Sequence, residues 1–483
     1  MQSRHATFTA LLALAGGIFV LSAQAQIAVR NQGYMPFADE PINYRSEDLS
    51  DPVAKLEKQV ESGEATLEWE GDHGYLKSVL KLLKVPVESQ TLVFSKTSFQ
   101  YPKISADHPR ALYYNDDIYV GKVHDGKAIE IVSFDARQGA IFYLLDEHKV
   151  DKPAFQRAEL DCTQCHIAAG TRGVPGVLLR SVYANSSGTL IPGAPTYITD
   201  QDSPVAERWG GWYVSGKPGD TSLSMANAAV AESPAAVTAI QNDPSAHKLA
   251  PLAAQQSYQA ADYLVPGSDA VALLVLAHQT QMHNLITLTN YKTRIALYNL
   301  SKQAADAPTA ASAANAVALS QDAAAAAAAL PDATRRQFER PAEQLLRYLL
   351  FANEAPLSAL DPQSLVASPF AKEFAARGLR DSKGRSLRDF DLNQRIFRYP
   401  CSYLIYSDAF DAIPEPAKSY VYHRLLQILT GQDQSDDFAR LSAQDRRAVL
   451  EILLETKPGL PPEWQDYARA NHLKIAPDNS TRS

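Results

Sequence analysis

The residues best suited to chemistry are Cys162-Thr-Gln-Cys165-His166, which place two thiols and an imidazole within five positions. Thiols at this spacing can add to the two vinyl groups of one porphyrin, and the adjacent histidine can bind its iron. The chain has three cysteines. The third, Cys401, lies in an apolar and aromatic stretch, where we expect a buried, unreactive thiol. The motif predicts one covalently bound haem c, with His166 as the proximal ligand.

Two other kinds of site use a similar cysteine pair. A thioredoxin-like redox pair belongs early in a βαβ unit and does not require a histidine directly after it. A four-cysteine zinc site would need a second Cys-x-x-Cys pair, and the three cysteines of this chain form only one. The histidine at position 166 therefore favours haem over both alternatives.

The N-terminus has the three parts of a secretory signal peptide. A short polar region that includes Arg4 precedes an apolar run over 10–21, and Ala23-Gln24-Ala25 fits the rule for cleavage. The run is short for a transmembrane span, and no later unbroken apolar run is as long. Because bacteria attach haem covalently after export, we expect a periplasmic protein that lacks residues 1–25 and has no stable membrane insertion.

The composition is that of a folded protein with a large core. The 483 residues are 46% hydrophobic and 21% charged, which is enough chain for two or three domains. The net charge of −8, the pI of about 5.8 and the lack of basic clusters argue against a nucleic-acid partner. A mildly acidic surface suits a basic redox partner protein.

The order of elements predicts a mainly α protein with an N-terminal antiparallel β region, in which the c-type haem domain is embedded in a larger helical protein. Aromatic and β-branched runs flank Asn115-Asp116-Asp117 and predict a hairpin, and residues 129–134 and 139–145 continue the β pattern. Residues 75–84 predict a helix.

The chain beyond the motif is predicted to be helical. Residues 269–300 are apolar nearly all round and predict a long buried helix, and further helices are expected over 335–351, 419–430 and 443–456. The predicted units are a signal peptide over 1–25, an α+β region over 26–150, the haem-binding domain over 151–300, an Ala-rich insert over 301–333, a helical region over 334–475 and a polar tail over 476–483.

The second axial ligand decides whether a haem carries electrons or performs chemistry. On the predicted buried helix, His278 and Met282 share one stripe, and His283 points about 140° away from it. We expect this helix to pack over the haem and to offer His278 or His283 as a distal ligand or pocket base. Met225 is the next candidate, and a hydrogen-bonded core histidine is the alternative role for either imidazole.

Several residues are candidates for the walls of the haem pocket. Arg180 and Arg208 can pair with the haem propionates, because a guanidinium matches a carboxylate in a fixed fork. Trp209, with Trp212 and Tyr213 close behind it, can wall the macrocycle or belong to the ordinary core.

Six blocks of the chain resemble an exported bacterial family described mostly as cytochrome c domain-containing proteins. The blocks are Phe94–Ser98, Pro109–Tyr114, Cys162–His166, Arg208–Val214, His278–Asn284 and Arg385–Arg388. The resemblance covers most of the mature chain and implies haem binding and export, but no particular reaction. Where that family has His-Met-Gly-Asn after the tryptophan block, this chain has Ser224-Met-Ala-Asn227, so a histidine ligand is missing at this point.

Three classes of function stay open. A single complete motif favours an electron-transfer cytochrome, although a carrier needs only about a hundred residues to wrap one haem. A peroxidase- or oxygenase-like haem enzyme with an open distal position would use the additional chain to build a pocket, but di-haem peroxidases carry two motifs. The third class is a haem-based sensor or interaction protein. We take electron transfer as the main hypothesis.

Replacing Cys162 or Cys165 with Ala should abolish or sharply reduce covalent haem attachment, because each thiol forms one of the two thioether bonds. Intact-protein mass spectrometry of periplasmic material should show one added haem and the loss of residues 1–25. The matched control is Cys401→Ala, which should keep the haem. A mature parent protein without haem, in a host that assembles c-type cytochromes, would contradict the prediction.

Overall fold

A computed structural model describes residues 36–214, 231–242, 258–306, 329–358, 365 and 368–475. The strands are β1 Thr91–Val93, β2 Arg110–Tyr114, β3 Ile118–Lys122, β4 Ala128–Asp135, β5 Gly139–Asp146, β6 Phe155–Arg157, β7 Leu179–Val182, β8 Thr196–Thr199 and β9 Trp212–Tyr213. The helices are α1 Pro52–Ser62, α2 Leu76–Leu82, α3 Glu159–His166, α4 Pro234–Asn242, α5 Ala270–Asp306, α6 Asp332–Leu349, α7 Pro369–Ala376, α8 Asp408–Asp411, α9 Glu415–Leu429, α10 Ala443–Thr456 and α11 Pro462–Ala470.

Seven strands form one antiparallel sheet in the order β6-β5-β4-β3-β2-β1-β9, and β7 pairs with β8 in a separate hairpin. The predicted antiparallel β region is confirmed, but the expectation of a mainly α protein is wrong, because this sheet makes the fold mixed. The sheet is wider than predicted because it includes two further strands, β6 and β9. β6 follows the predicted boundary at residue 150 and pairs with β5, and β9 pairs with β1 through Val93 and Trp212.

Short side chains form the two tight turns of the central sheet. Asn115 Oδ1 accepts hydrogen bonds from the N–H groups of Asp117 and Ile118, both at 3.0 Å, which closes the predicted β2–β3 hairpin. Asp135 Oδ1 does the same between β4 and β5, where it accepts from the N–H of Gln138 at 2.9 Å. Gly139 then enters β5 with φ of 75°, a conformation that favours glycine.

The alternation of side chains along the strands gives the sheet two buried faces. One face, which carries Tyr113 and Val120, packs against residues of α1 and α2 such as Val53 and Val79. The opposite face packs against α5, and Tyr114 on it donates a hydrogen bond to the Ala272 carbonyl at 2.6 Å. The sheet is therefore a central layer with helices on both sides.

Helix α5 confirms the predicted long buried helix, since every residue from Ala270 to Tyr291 is buried. Asp269 caps its first turn, accepting from the N–H groups of Val271 at 2.8 Å and Ala272 at 3.0 Å. The sheet covers one side of α5, and helix α6 and its C-terminal neighbours cover the other. This position makes α5 the element that joins the two halves of the fold.

The C-terminal helices largely match the predictions. Helix α10 occupies 443–456 as predicted, and α6 and α9 lie within a few residues of their expected bounds. The predicted Ala-rich insert shares residues with the end of α5 and the start of α6, and its part over 307–328 lies outside the described residues, as do the predicted signal peptide and tail. Among the described helices, none is both long and apolar enough to cross a membrane.

Gly139→Ala should destabilise the fold more than Gly384→Ala, although the two glycines have almost equal φ values of 75° and 74°. A Cβ at Gly139 would lie 2.6 Å from Thr287 Cγ2 of α5, whereas a Cβ at Gly384 meets nothing within 4 Å. Both variants should lose about 1–2 kcal/mol from backbone strain. Gly139→Ala should lose about 1–3 kcal/mol more from overpacking.

Urea unfolding of the two variants measures this difference. Equal losses in the free energy of unfolding would show that α5 does not press on the β4–β5 turn.

Candidate haem site

The Cys-x-x-Cys-His motif forms α3, a helix of eight residues. Strand β5 holds the start of this helix, since the N–H of Ala158 donates to the Phe142 carbonyl at 2.9 Å. Both thiols of the motif are free; Cys162 is half-buried and Cys165 is exposed. Leu160, on the same helix, is 69% exposed. Two unpaired thiols and an apolar side chain at the surface suit the covalent attachment of a flat apolar group.

One nitrogen of His166 is fixed and the other is free for a ligand. Its Nδ1 lies 2.9 Å from the carbonyl oxygen of Gly176. Because a carbonyl only accepts, Nδ1 carries the proton and Nε2 keeps its lone pair. A backbone acceptor behind the imidazole is the usual way in which a protein orients a metal-binding histidine. Burial lowers the pKa of His166, which favours the neutral ring that iron requires.

The loop behind His166 is held by α5. Asn284 accepts from the N–H of Val177 at 3.1 Å and donates to the Val177 carbonyl at 2.8 Å. Gln281, one turn earlier, donates to the Gly170 carbonyl at 2.8 Å. A Cβ on Gly176 would lie 2.0 Å from Asn284 Oδ1, so glycine is required at this close approach. Amide side chains of the buried helix therefore set the position of the carbonyl that orients His166.

The sequence did not predict an ion pair that lies on the main sheet, between β2 and β4. Arg110 of β2 bonds Glu130 of β4, and its guanidinium lies over Gly121, where a Cβ would come within 2.3 Å of Nη2. Burial, followed by the charges of Glu130 and Asp161, raises the pKa of Cys162 to about 12, while the charge of Arg110 opposes this shift. The only sequence signal was that Arg110 belongs to the Pro109–Tyr114 block.

The predicted propionate partners differ in accessibility. Arg180 on β7 is half-buried, and one of its nitrogens donates to Thr196 Oγ1 at 2.8 Å. Arg208 is fully buried and clamps a loop, donating to the carbonyls of Ser203 at 2.8 Å and Gln201 at 2.9 Å. Trp209 is 1% exposed and belongs to the main core. Both side chains are buried in the described structure, and each keeps one N–H group, Arg208 Nη1 and Trp209 Nε1, without a hydrogen-bond partner among the described residues.

His278 has no free ring nitrogen. Its Nδ1 lies 2.6 Å from Gln201 Oε1 and its Nε2 lies 2.8 Å from Ser402 Oγ, while its ring stacks on Phe351 at 4.6 Å. Burial lowers its pKa to about 3, so the ring is neutral. The described contacts favour the alternative role for His278, a hydrogen-bonded core histidine, because its neighbours in the core occupy both nitrogens.

His283 makes one hydrogen bond and keeps one nitrogen without a partner among the described residues. Its Nε2 donates to the Asp116 carbonyl at 2.8 Å, its ring stacks on Phe134 at 3.9 Å, and its Nδ1 is the unpaired atom. Phe142, diagonal to Phe134 across β4 and β5, lies 5.0 Å from the His166 ring. The two imidazoles therefore lie over the same sheet face.

The other sulfur-containing candidates are Met282, Cys401 and Met225. Met282 is fully buried in the main core, whereas Met225 lies outside the described residues. Cys401 is fully buried, and burial raises the pKa of its thiol, as expected for an unreactive cysteine.

Comparisons with family models, curated proteins and solved structures found no match to this chain. The assignment of a function therefore depends on the residues of the site and their geometry.

Asn284→Ala should lower the free energy of unfolding by about 1–3 kcal/mol, because it leaves buried backbone groups of Val177 without a partner. Hydrogen exchange of the loop over 168–178 should also become faster. Asn290→Ala is the matched control on the same helix, since it removes one hydrogen bond to the Ala412 carbonyl. It should destabilise the protein without changing exchange in that loop; equal acceleration in both variants would contradict the role of Asn284.

Proposed function

We propose that this chain is an exported c-type cytochrome that carries one covalent haem and transfers electrons in the periplasm. The observation that carries the proposal is the geometry of α3, where two free thiols precede an imidazole whose Nδ1 is hydrogen-bonded to the Gly176 carbonyl. This arrangement leaves Nε2 as the lone-pair donor in the motif. The signal-peptide pattern of residues 1–25 supports export.

The residues that would hold the group can be named from their positions. Cys162 and Cys165 would supply the thioether bonds and His166 Nε2 the proximal ligand. Arg110, whose charge acts on both Cys162 and His166, is a propionate partner alongside Arg180. When bound, haem supplies a one-electron couple whose potential is set by its axial ligands and surroundings.

The exposure of the motif supports electron transfer to another protein. Cys165 and Leu160 reach the surface, so an edge of a macrocycle attached there would be open to a docking partner. With a net charge of −8, the chain would attract a basic partner at long range. An enzyme that acts on a small molecule would instead hold its substrate in a concave pocket.

The second candidate is a haem enzyme with an open distal position, and one observation favours it. Both nitrogens of His278 are engaged, and Met282 lies in the core. Of the predicted distal ligands, this leaves Met225 and the unpaired nitrogen of His283. We propose Met225 as the distal ligand, because the His283 ring is fully buried and stacked on Phe134, and because Met/His ligation would close the site.

Optical spectra of the exported holoprotein in both redox states test the proposal. We expect low-spin haem in the parent and high-spin ferric haem in Met225→Leu, because the variant lacks the thioether. Met282→Leu, a volume-conserving core substitution, is the control and should stay low-spin. His166→Ala should become high-spin and mature poorly.

Each other outcome favours a different assignment. A loss of low-spin haem in His283→Gln instead of Met225→Leu would make α5 the distal element. A high-spin parent would reject the electron carrier, and turnover of hydrogen peroxide would then be measured to test the enzyme.

A further inference from the structure

A second group of ligand-type side chains lies outside the candidate haem site. His108, His124 and Asp262 each offer one ligand atom, and these atoms all lie within 4.8 Å of one another. We propose that these three side chains form a binding site for a divalent transition-metal ion such as Zn²⁺ or Cu²⁺. The proposal is independent of haem binding.

The sheet itself brings the two histidines together. β2 and β3 pair antiparallel, with Ala111 opposite Lys122, so the residues just before β2 and just after β3 meet at one end of the pair. His108 precedes β2 by two residues and His124 follows β3 by two. Their rings stack with centroids 4.9 Å apart and planes 11° from parallel. The register of β2 and β3 therefore places both histidines at the open end of this hairpin.

The third ligand comes from a segment tied to the same place. Asp262 ends a short 3-10 helix, and the next residue, Tyr263, donates a hydrogen bond to the Pro109 carbonyl at 2.8 Å. Gln90 Nε2 holds the following residues by donating to the carbonyls of Val265 and Gly267, each at 2.7 Å. The backbone that carries Asp262 is therefore held beside His108.

The distance between His124 and Asp262 suits two ligands of one cation better than a direct hydrogen bond. His124 Nδ1 lies 3.9 Å from Asp262 Oδ2, beyond the 2.7–3.2 Å typical of a hydrogen bond. Two ligand atoms at about 2.0 Å from a tetrahedral zinc ion are roughly 3.3 Å apart. A small contraction of partly exposed side chains would complete this geometry, and the stacked rings would turn so that both face the ion.

Asp125 lies near enough to His124 to supply the outer hydrogen bond that metal-bound histidines usually have. Its Oδ2 lies 3.7 Å from His124 Nε2, on the opposite edge of the ring from Asp262. With Nδ1 bound to the ion, Nε2–H would donate to this carboxylate, as in carboxylate–histidine–zinc arrangements. Two imidazoles and one carboxylate select Zn²⁺ or Cu²⁺ over Mg²⁺ or Ca²⁺, which prefer all-oxygen sites. Three protein ligands leave one position for water.

The test uses the purified full chain, without a histidine tag and treated with a chelator. Titration with zinc sulfate in a calorimeter should show one ion per chain and a rise in Tm, because an ion that binds only the folded state stabilises it. Replacing zinc by cobalt should give the d–d bands of a four-coordinate site in the difference spectrum against the same protein without cobalt. Absence of saturable zinc binding would overturn the proposal.

Variants assign the binding to these residues. His108→Ala and His124→Ala should each weaken zinc binding at least a hundredfold and remove the cobalt bands. Asp125→Asn, which keeps the first ligands, should weaken it roughly 10- to 100-fold. His148→Ala is the matched control, since His148 is an exposed histidine that also contacts a carboxylate, at 2.5 Å from Asp146.

The control and the unliganded stability complete the test. His148→Ala should bind zinc like the parent, and all variants should keep the parent Tm in the absence of metal, because their side chains reach the surface. Zinc binding that survives both His108→Ala and His124→Ala, or that is lost in His148→Ala, would place the ion elsewhere and reject the site.

Discussion

The bond between Asn284 and Val177 is the interaction on which the geometry of the motif depends. Asn284 satisfies both backbone groups of Val177, and the adjacent Gly176 carbonyl orients His166. The absence of a side chain on Gly176 lets helix and loop approach this closely. The buried helix α5 is thus connected to the His166 imidazole through the Asn284 side chain and the Gly176–Val177 peptide. At this point α5 does not itself supply a ligand.

This arrangement requires α5 to be rigid, and its buried polar side chains provide the rigidity. A buried polar group without a partner costs about 1–3 kcal/mol, so each such group tends to fix a neighbour. His278 links Gln201 of the loop before β9 to Ser402 of the C-terminal region, and Gln279 Nε2 donates to the Asn115 carbonyl at 2.7 Å. The helix therefore positions three distant parts of the chain relative to one another.

Local sequence signals predicted the parts of this structure that depend on local chemistry. The motif, the Asn115 turn and the bounds of α10 follow from residue type and spacing over a few positions. The pairing of β9 with β1 and the approach of Arg110 to Cys162 depend on contacts between distant segments, which leave no periodic pattern. The two imidazoles of α5 illustrate the difference: burial was predictable from the helix, but the partner of each nitrogen was not.

The contacts around α3 also show why a short Cys-x-x-Cys-His motif depends on so long a chain. The motif loop is held by β5 on one side, where the N–H of Ala140 donates to the Pro175 carbonyl at 3.3 Å, and by α5 on the other. α5 is in turn packed between the sheet and the C-terminal helices. The position of His166 thus depends on residues that precede the motif in sequence and on residues that follow it.

The strand that carries Arg110 begins two residues after His108. An ion at the proposed metal site would therefore restrain the end of that strand.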